Sequence, residues 1–252
     1  MLYCPRLDGW KLDCDDSSGT HTLSDDYQFS DNLQKFSAIA VENDGVLDLR
    51  QWCSPVENQG ELGSCVGNGV VGALEFLQIR NGQPLVDLSR LFVYYNSRLM
   101  HQAQNKDEGT YIHLAMGTLS AIGTCAESKW PYDISKAFVR PTWGSYREAY
   151  VNKIDSYYRI SGTGDTRDEF IKRALQSNHV VVFGMTVDQA YIDYEGGIVA
   201  MPKSVRVNSG GHCQVIVGYD DSKKCWIVRN SWGTLWGEFG YAFVPYAYLY
   251  AS

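Results

Sequence analysis

Four residues, Gln59, Cys65, His212 and Asn230, are of the types a covalent acyl transfer needs. A thiol supplies the nucleophile and an imidazole moves the proton. An amide carbonyl can orient the imidazole, and an amide NH2 can hold the developing oxyanion. Cys65 ends the stretch Asn58-Gln59-Gly60-Glu61-Leu62-Gly63-Ser64-Cys65, and a run with helical periodicity follows it to Arg80. At a helix start, unpaired N–H groups and the helix dipole favour a thiolate over a thiol. Val66, Val70, Val71, Leu74 and Leu77 fall largely three and four apart, which predicts one buried helix face and a helix start free to border a cleft. Gly210-Gly211-His212 opens a strand from Gln214 to Tyr219, and Asn230-Ser231-Trp232-Gly233 follows the strand Cys225 to Arg229. An asparagine there can accept a hydrogen bond from one ring nitrogen and leave the other facing the cysteine.

The elements that must bring these residues together divide into two textures. After the helix to Arg80, Asn81-Gly82 stops it. Asp87-Leu88-Ser89 caps a second helix, Arg90 to about Met100, and a loop with Asp107-Glu108-Gly109-Thr110 leads to a third, Ile112 to Ala121. Trp130-Pro131-Tyr132-Asp133 marks the turn where the helical part ends. Helices that follow one another without intervening strands pack as one lobe. The second half reads as short strands broken by turns: Asp155 to Ile160, His179 to Val187, a strand after the turn Tyr194-Glu195-Gly196-Gly197-Ile198, then Gln214 to Tyr219, Cys225 to Arg229 and Phe239 to Val244, with one helix from Thr166 to Ser177. That is the pattern of an antiparallel sheet or barrel. The fold class is therefore α+β, two-lobed, with a groove between a helical and a β half. The expected division is an N-terminal arm over 1–46, a helical lobe over 47–150 and a β lobe over 151–252. The arm is acidic and turn-rich, as in Asp13-Cys14-Asp15-Asp16, and has little core of its own.

Composition narrows the function classes. A chain of 252 residues can bury a sizeable core, and a net charge of −7 without any basic run argues against an electrostatic grip on nucleic acid. The longest apolar runs, such as His179-Val180-Val181-Val182-Phe183, are too short to span a bilayer, and no membrane partner is expected. Met1 to Trp10 holds Pro5, Arg6 and Asp8 and lacks the apolar segment of a signal peptide, which leaves the compartment open. Seven cysteines without a CxxC pair do not make a zinc site of the usual spacing, and no cofactor or metal is implied. If one thiol is catalytic, the other six allow between zero and three disulfides.

Taken together, these residues resemble the papain-like cysteine peptidase family, from about Leu47 to the C-terminus. The resemblance rests on Pro55-Val56-Glu57-Asn58-Gln59-Gly60, Gly63-Ser64-Cys65, Gly211-His212, Val217-Gly218-Tyr219, Asn230-Ser231-Trp232-Gly233 and Trp236-Gly237-Glu238-Phe239-Gly240-Tyr241. It implies a helical left lobe, an antiparallel β-barrel right lobe and an active-site cleft between them. It further implies Cys65 as nucleophile, His212 as proton carrier and Asn230 as holder of the His212 ring. Trp232 would cover that hydrogen bond, and Gln59 with the Cys65 N–H would form the oxyanion hole. Gly109 would pair with substrate backbone, Trp236 would line the leaving-group side, and Gly184 or Met185 would border the specificity pocket. The implied substrates are peptides or proteins, cut internally, because no His-bearing insertion closes one end of the cleft.

Three positions depart from the family pattern: Leu62 and the loop Glu108-Gly109-Thr110 lack its paired cysteines, and Val66 replaces an aromatic. The pattern Leu62-Gly63-Ser64-Cys65 with Cys53 and Cys125 is closer to compact microbial members, and whether Cys53 and Cys125 pair stays open. Residues 1–46 are short for an inhibitory propeptide. They are either a regulator that reaches into the cleft or a structural extension. Two other readings of the whole chain stand beside the peptidase: a non-catalytic peptide-binding protein on the same scaffold, and an acyl transferase or ligase using the same thioester.

Overall fold

Helix α1, Cys65–Arg80, is buried on every side from Val66 to Gln78, and only Cys65 at its start and the last two residues emerge. The sequence pattern predicted one buried face. The difference arises because the helix lies between two partners, other helices on one side and a sheet on the other. Its glycines permit that sandwich. A Cβ on Gly67 would meet the Arg90 carbonyl at 2.9 Å, and one on Gly69 would meet the Cys213 sulfur at 3.1 Å. The computed structural model describes residues 2–6, 45–202 and 211–251. Among these, no helix is long and apolar enough to cross a membrane.

On the helical side, α2 spans Arg90–Leu99 and α3 spans Ile112–Ala121. The Ser89 hydroxyl caps α2 by accepting from the Phe92 N–H at 3.1 Å. A further helix, α4, follows at Trp143–Ala149, so the helical part does not end at Trp130–Asp133. Thr142 caps it by accepting from the Ser145 N–H. Leu62, Leu91, Phe92, Tyr94, Cys125, Trp130, Ala137 and Ala149 form a core of their own on this side. A buried ion pair locks α1 to α2: Arg90 meets Glu75 at 2.6 Å, and Glu75 also accepts from the Ser54 hydroxyl and the Leu88 N–H. Arg229 reaches across from the sheet to the same Ser54 hydroxyl and to the Pro55 carbonyl.

The other side is a seven-stranded antiparallel sheet. Its strands are β1 (Leu2–Arg6), β2 (Val46–Asp48), β3 (Ser156–Ile160), β4 (Val181–Thr186), β5 (Gly211–Asp220), β6 (Cys225–Arg229) and β7 (Tyr241–Pro245). Their order is β3-β1-β4-β5-β6-β7, with β2 paired to β5. Helix α5, Gly164–Gln176, packs on β3, β4 and β5. Short helices α6, Gln189–Ile192, and α7, Tyr248–Ala251, complete this side. The larger core joins this sheet to α1 and α3.

Two expectations change here. Residues 2–6, assigned to an arm, form a strand inside the sheet, with Leu2 and Tyr3 buried in the core. Proline is a poor guest in a central strand, but pairing of β1 with β4 stops at Tyr3, so Pro5 has only β3 beside it. After the turn at Glu195–Gly197 there is no strand among the described residues, only a single bridge between Ile198 and Phe243. Val46, at the end of the arm, begins β2, whereas residues 7–44 and their suggested reach into the cleft lie outside the described residues, as does Gly210.

Candidate active site

Cys65 is the first residue of α1, and its position comes from the turn that precedes it. Ser64 occupies the cap position without capping through its side chain. Its hydroxyl instead pairs with the Tyr132 hydroxyl, while Asn68 Nδ2 donates back to the Ser64 carbonyl at 3.1 Å. The turn is thus tied to the helical lobe from both ends. Burial pushes the Cys65 thiol above its ordinary range. The backbone amides of Cys213, Val66 and Cys65 pull it down, and the Asp107 charge adds to the upward push.

His212 and Asn230 come from adjacent strands of the sheet. His212 lies on β5, opposite Met185 of β4, and Asn230 is the residue after β6. The His212 Nε2–H donates to Asn230 Oδ1 at 2.7 Å. The same oxygen accepts the Ser231 N–H at 2.8 Å, which fixes that end of the amide as the carbonyl. The ring proton therefore sits on Nε2, and Nδ1 is the nitrogen left to exchange a proton. Trp232 stacks on the imidazole with centroids 4.5 Å apart and planes 21° from parallel. Burial lowers the imidazole to about 4, against a smaller opposing effect of the Asn230 bond.

Gln59 is buried and held on three sides. Its Nε2 donates to the Leu62 carbonyl at 3.0 Å, its Oε1 accepts from the Ser231 hydroxyl, and its own carbonyl accepts from the Tyr132 hydroxyl at 2.9 Å. One amide hydrogen remains. An isolated bridge between Asn58 and Trp232 fastens this segment to the sheet.

A cavity of about 910 Å³ brings the pieces together. Its walls include Gln59, Cys65, His212 and Trp232, together with Gly109, Gly184 and Met185. Trp236 is not among them. It packs its edge against Trp232 at 5.2 Å and donates its indole N–H to the Ile192 carbonyl, so it stands behind the residue that covers His212. Gly109 has φ +74, a conformation that suits glycine, which places a left-handed turn on the cavity wall. Cys53, Cys125, Cys213 and Cys225 are free thiols, so Cys53 and Cys125 are not paired. Sequence reasoning missed Ser231, Tyr132 and Asp107 as parts of the site. Ser231 had a signal, since it sits between Asn230 and Trp232, but Tyr132 and Asp107 reach the site only through the tertiary fold.

The family described as papain family cysteine protease matches residues 45–247. An uncharacterized peptidase C1-like protein of Acanthamoeba polyphaga mimivirus is 40% identical over 220 residues, covering 82% of this chain and 70% of its own. Cathepsin O of Homo sapiens is 29% identical, covering 77% of this chain and 58% of its own, so the chain spans little more than half of that relative. The crystal structure of xylellain, a cysteine protease from Xylella fastidiosa, matches with a TM-score of 0.72 at 29% identity, over 97% of this chain and 90% of that one. The family match begins beside β2 and runs past β7, so it takes in the whole cavity and both of its walls, and the chain belongs to the papain family of cysteine proteases.

Proposed function

We propose that the chain is an endopeptidase that hydrolyses peptide bonds through a Cys65 thioester. Cys65 Sγ attacks the scissile carbonyl carbon, and the oxygen that becomes negative is held by the free Gln59 amide hydrogen and the Cys65 N–H. His212 Nδ1 carries the proton displaced from the thiol and gives it to the leaving amine as the C–N bond breaks. It then takes a proton from water, which attacks the thioester and releases Cys65. Asn230 keeps the ring oriented through these steps, and Trp232 keeps water from competing for the Asn230 bond. The observation that carries this reading is the 2.7 Å His212–Asn230 bond beneath Trp232, because it assigns the ring proton to Nε2 and leaves Nδ1 for the thiol.

Burial, aided by the Asp107 charge, holds the thiol up, and burial holds the imidazole down, so each charge needs the other. The working form is then a thiolate–imidazolium pair, and its formation is the direct test. The protein is treated with limiting iodoacetamide at pH 5–6 under mild reduction, the labelled cysteine is mapped by peptide mass, and cleavage of a fluorogenic peptide is followed in parallel. Selective labelling of Cys65 with matching loss of cleavage is the expected result. Labelling of Cys65 no faster than the other thiols would defeat the proposal. Cleavage in the presence of an added amine, with product analysis, distinguishes hydrolysis from acyl transfer.

A further inference from the structure

The cavity wall opposite the sheet is a loop that carries no helix or strand of its own, yet it is held at three points. Arg98, fully buried on α2, donates to the Lys106 carbonyl at 2.5 Å. Tyr94, one turn earlier on α2 and equally buried, donates its hydroxyl to the Asp107 carboxylate. The third tie crosses to the turn before the nucleophile. The Gly63 N–H donates to Asp107 Oδ1 at 3.0 Å and to Oδ2 at 3.2 Å. The fit there is close, since a Cβ on Gly63 would lie 3.0 Å from Asp107 Oδ1 and 3.6 Å from the Gly109 N.

We propose that Asp107 is a positioning residue whose carboxylate clasps the Gly109 loop to the Gly63 turn and so sets the width of the cleft beside Cys65. A carboxylate suits the task because it can take Gly63 N–H and Tyr94 O–H at once, through charge-assisted bonds that a neutral side chain makes more weakly. Its charge also raises the Cys65 thiol, so the clasp acts on the nucleophile as well as on the wall. The kinetic part of this inference rests on the peptidase reading above, whereas the clasp itself can be measured without it.

The test compares Asp107→Ala, Asp107→Asn and Tyr94→Phe with Glu61→Gln, which removes an exposed carboxylate from the same turn. Amide hydrogen exchange is followed in peptides covering 60–64 and 107–111, alongside kcat, KM and the pH profile of Cys65 alkylation. The expected result for Asp107→Ala is exchange faster by roughly tenfold in both peptides, from loss of a charged hydrogen bond. KM should rise by a similar factor with kcat within about twofold, and the alkylation midpoint should move to lower pH. Asp107→Asn and Tyr94→Phe should each show a smaller rise in exchange, and Glu61→Gln none. Unchanged exchange and unchanged KM in both Asp107 variants would overturn the clasp. If Cys65 proves unreactive in the wild type, the peptidase reading fails, and the exchange data still decide the role of Asp107.

Discussion

The Ser231 hydroxyl donates to Gln59 Oε1 at 2.6 Å, and the Gln59 N–H donates to the Ser231 carbonyl at 2.8 Å. The turn that supplies Asn230 and the segment that supplies the proposed oxyanion donor, Gln59, are therefore joined twice, once through backbone and once through side chains. Any movement of the sheet relative to the helical lobe would disturb both the His212 ring and the Gln59 amide.

Removing this link should slow chemistry more than binding. Ser231→Ala leaves Gln59 Oε1 without its partner and frees the amide to rotate. Peptide cleavage should lose roughly tenfold in kcat with little change in KM. Gln59→Ala, which deletes the donor, should lose about 10²–10³-fold. Steady-state kinetics on one peptide measure both, and a pure KM effect for Ser231→Ala would refute the assignment.

The titration of the pair can be separated by single substitutions. In Cys65→Ala, His212 loses its counter-charge and should titrate at about 4, against about 6.5 in an unfolded chain. The unfolded state then binds more protons between those values, so stability rises with pH across that window and is lost as pH falls through it, by up to about 3 kcal/mol. Denaturant unfolding from pH 4 to 7, compared with a Cys65→Ala/His212→Gln variant, isolates this contribution. The histidine carbon resonances of the wild type should instead report an imidazolium at pH 6.

The converse variant fixes the thiol. In His212→Ala, Cys65 keeps its burial but loses the imidazolium, so its alkylation should rise only above pH 9. Persistence of rapid labelling at pH 6 would mean that the helix start alone makes the thiolate.

The Glu75–Arg90 pair bears on stability rather than catalysis. Glu75 is fully buried, and Glu75→Ala leaves Arg90 with the more exposed carboxylates of Asp87 and Glu57 and the Leu88 carbonyl, besides removing the partner of the Leu88 N–H. A loss of about 3–5 kcal/mol is expected from urea unfolding. Glu75→Gln should lose less, since it retains a hydrogen-bond acceptor. Equal stability of Glu75→Ala and wild type would show that the network contributes nothing net.

The residues of the candidate site were legible in sequence because the proposed chemistry restricts which residue types can serve. Cys65 after a glycine-containing turn, His212 at a strand start and Asn230 after a strand each had a local signal. The surroundings were less legible. The all-round burial of α1 depends on partners contributed by both lobes, which periodicity within one segment does not register. Residues 2–6 were read as part of an arm, and a proline among them gives no strand signal, although the pairing around Pro5 is one-sided and tolerates it. Asp107 sits in an acidic, exposed loop whose composition suggests solvent, and only the fold brings the Gly63 amide and the Tyr94 hydroxyl to it.

The place of β1 bears on how such a chain could be matured. Leu2 pairs with both Ile160 and Phe183, and Phe183 precedes the Gly184 and Met185 that form the cavity wall. After proteolytic nicking between β1 and β2, the described N-terminal strand would be held by its pairing with β3 over five residues and with β4 over two. Release of that strand would strip the backing from one wall of the cleft.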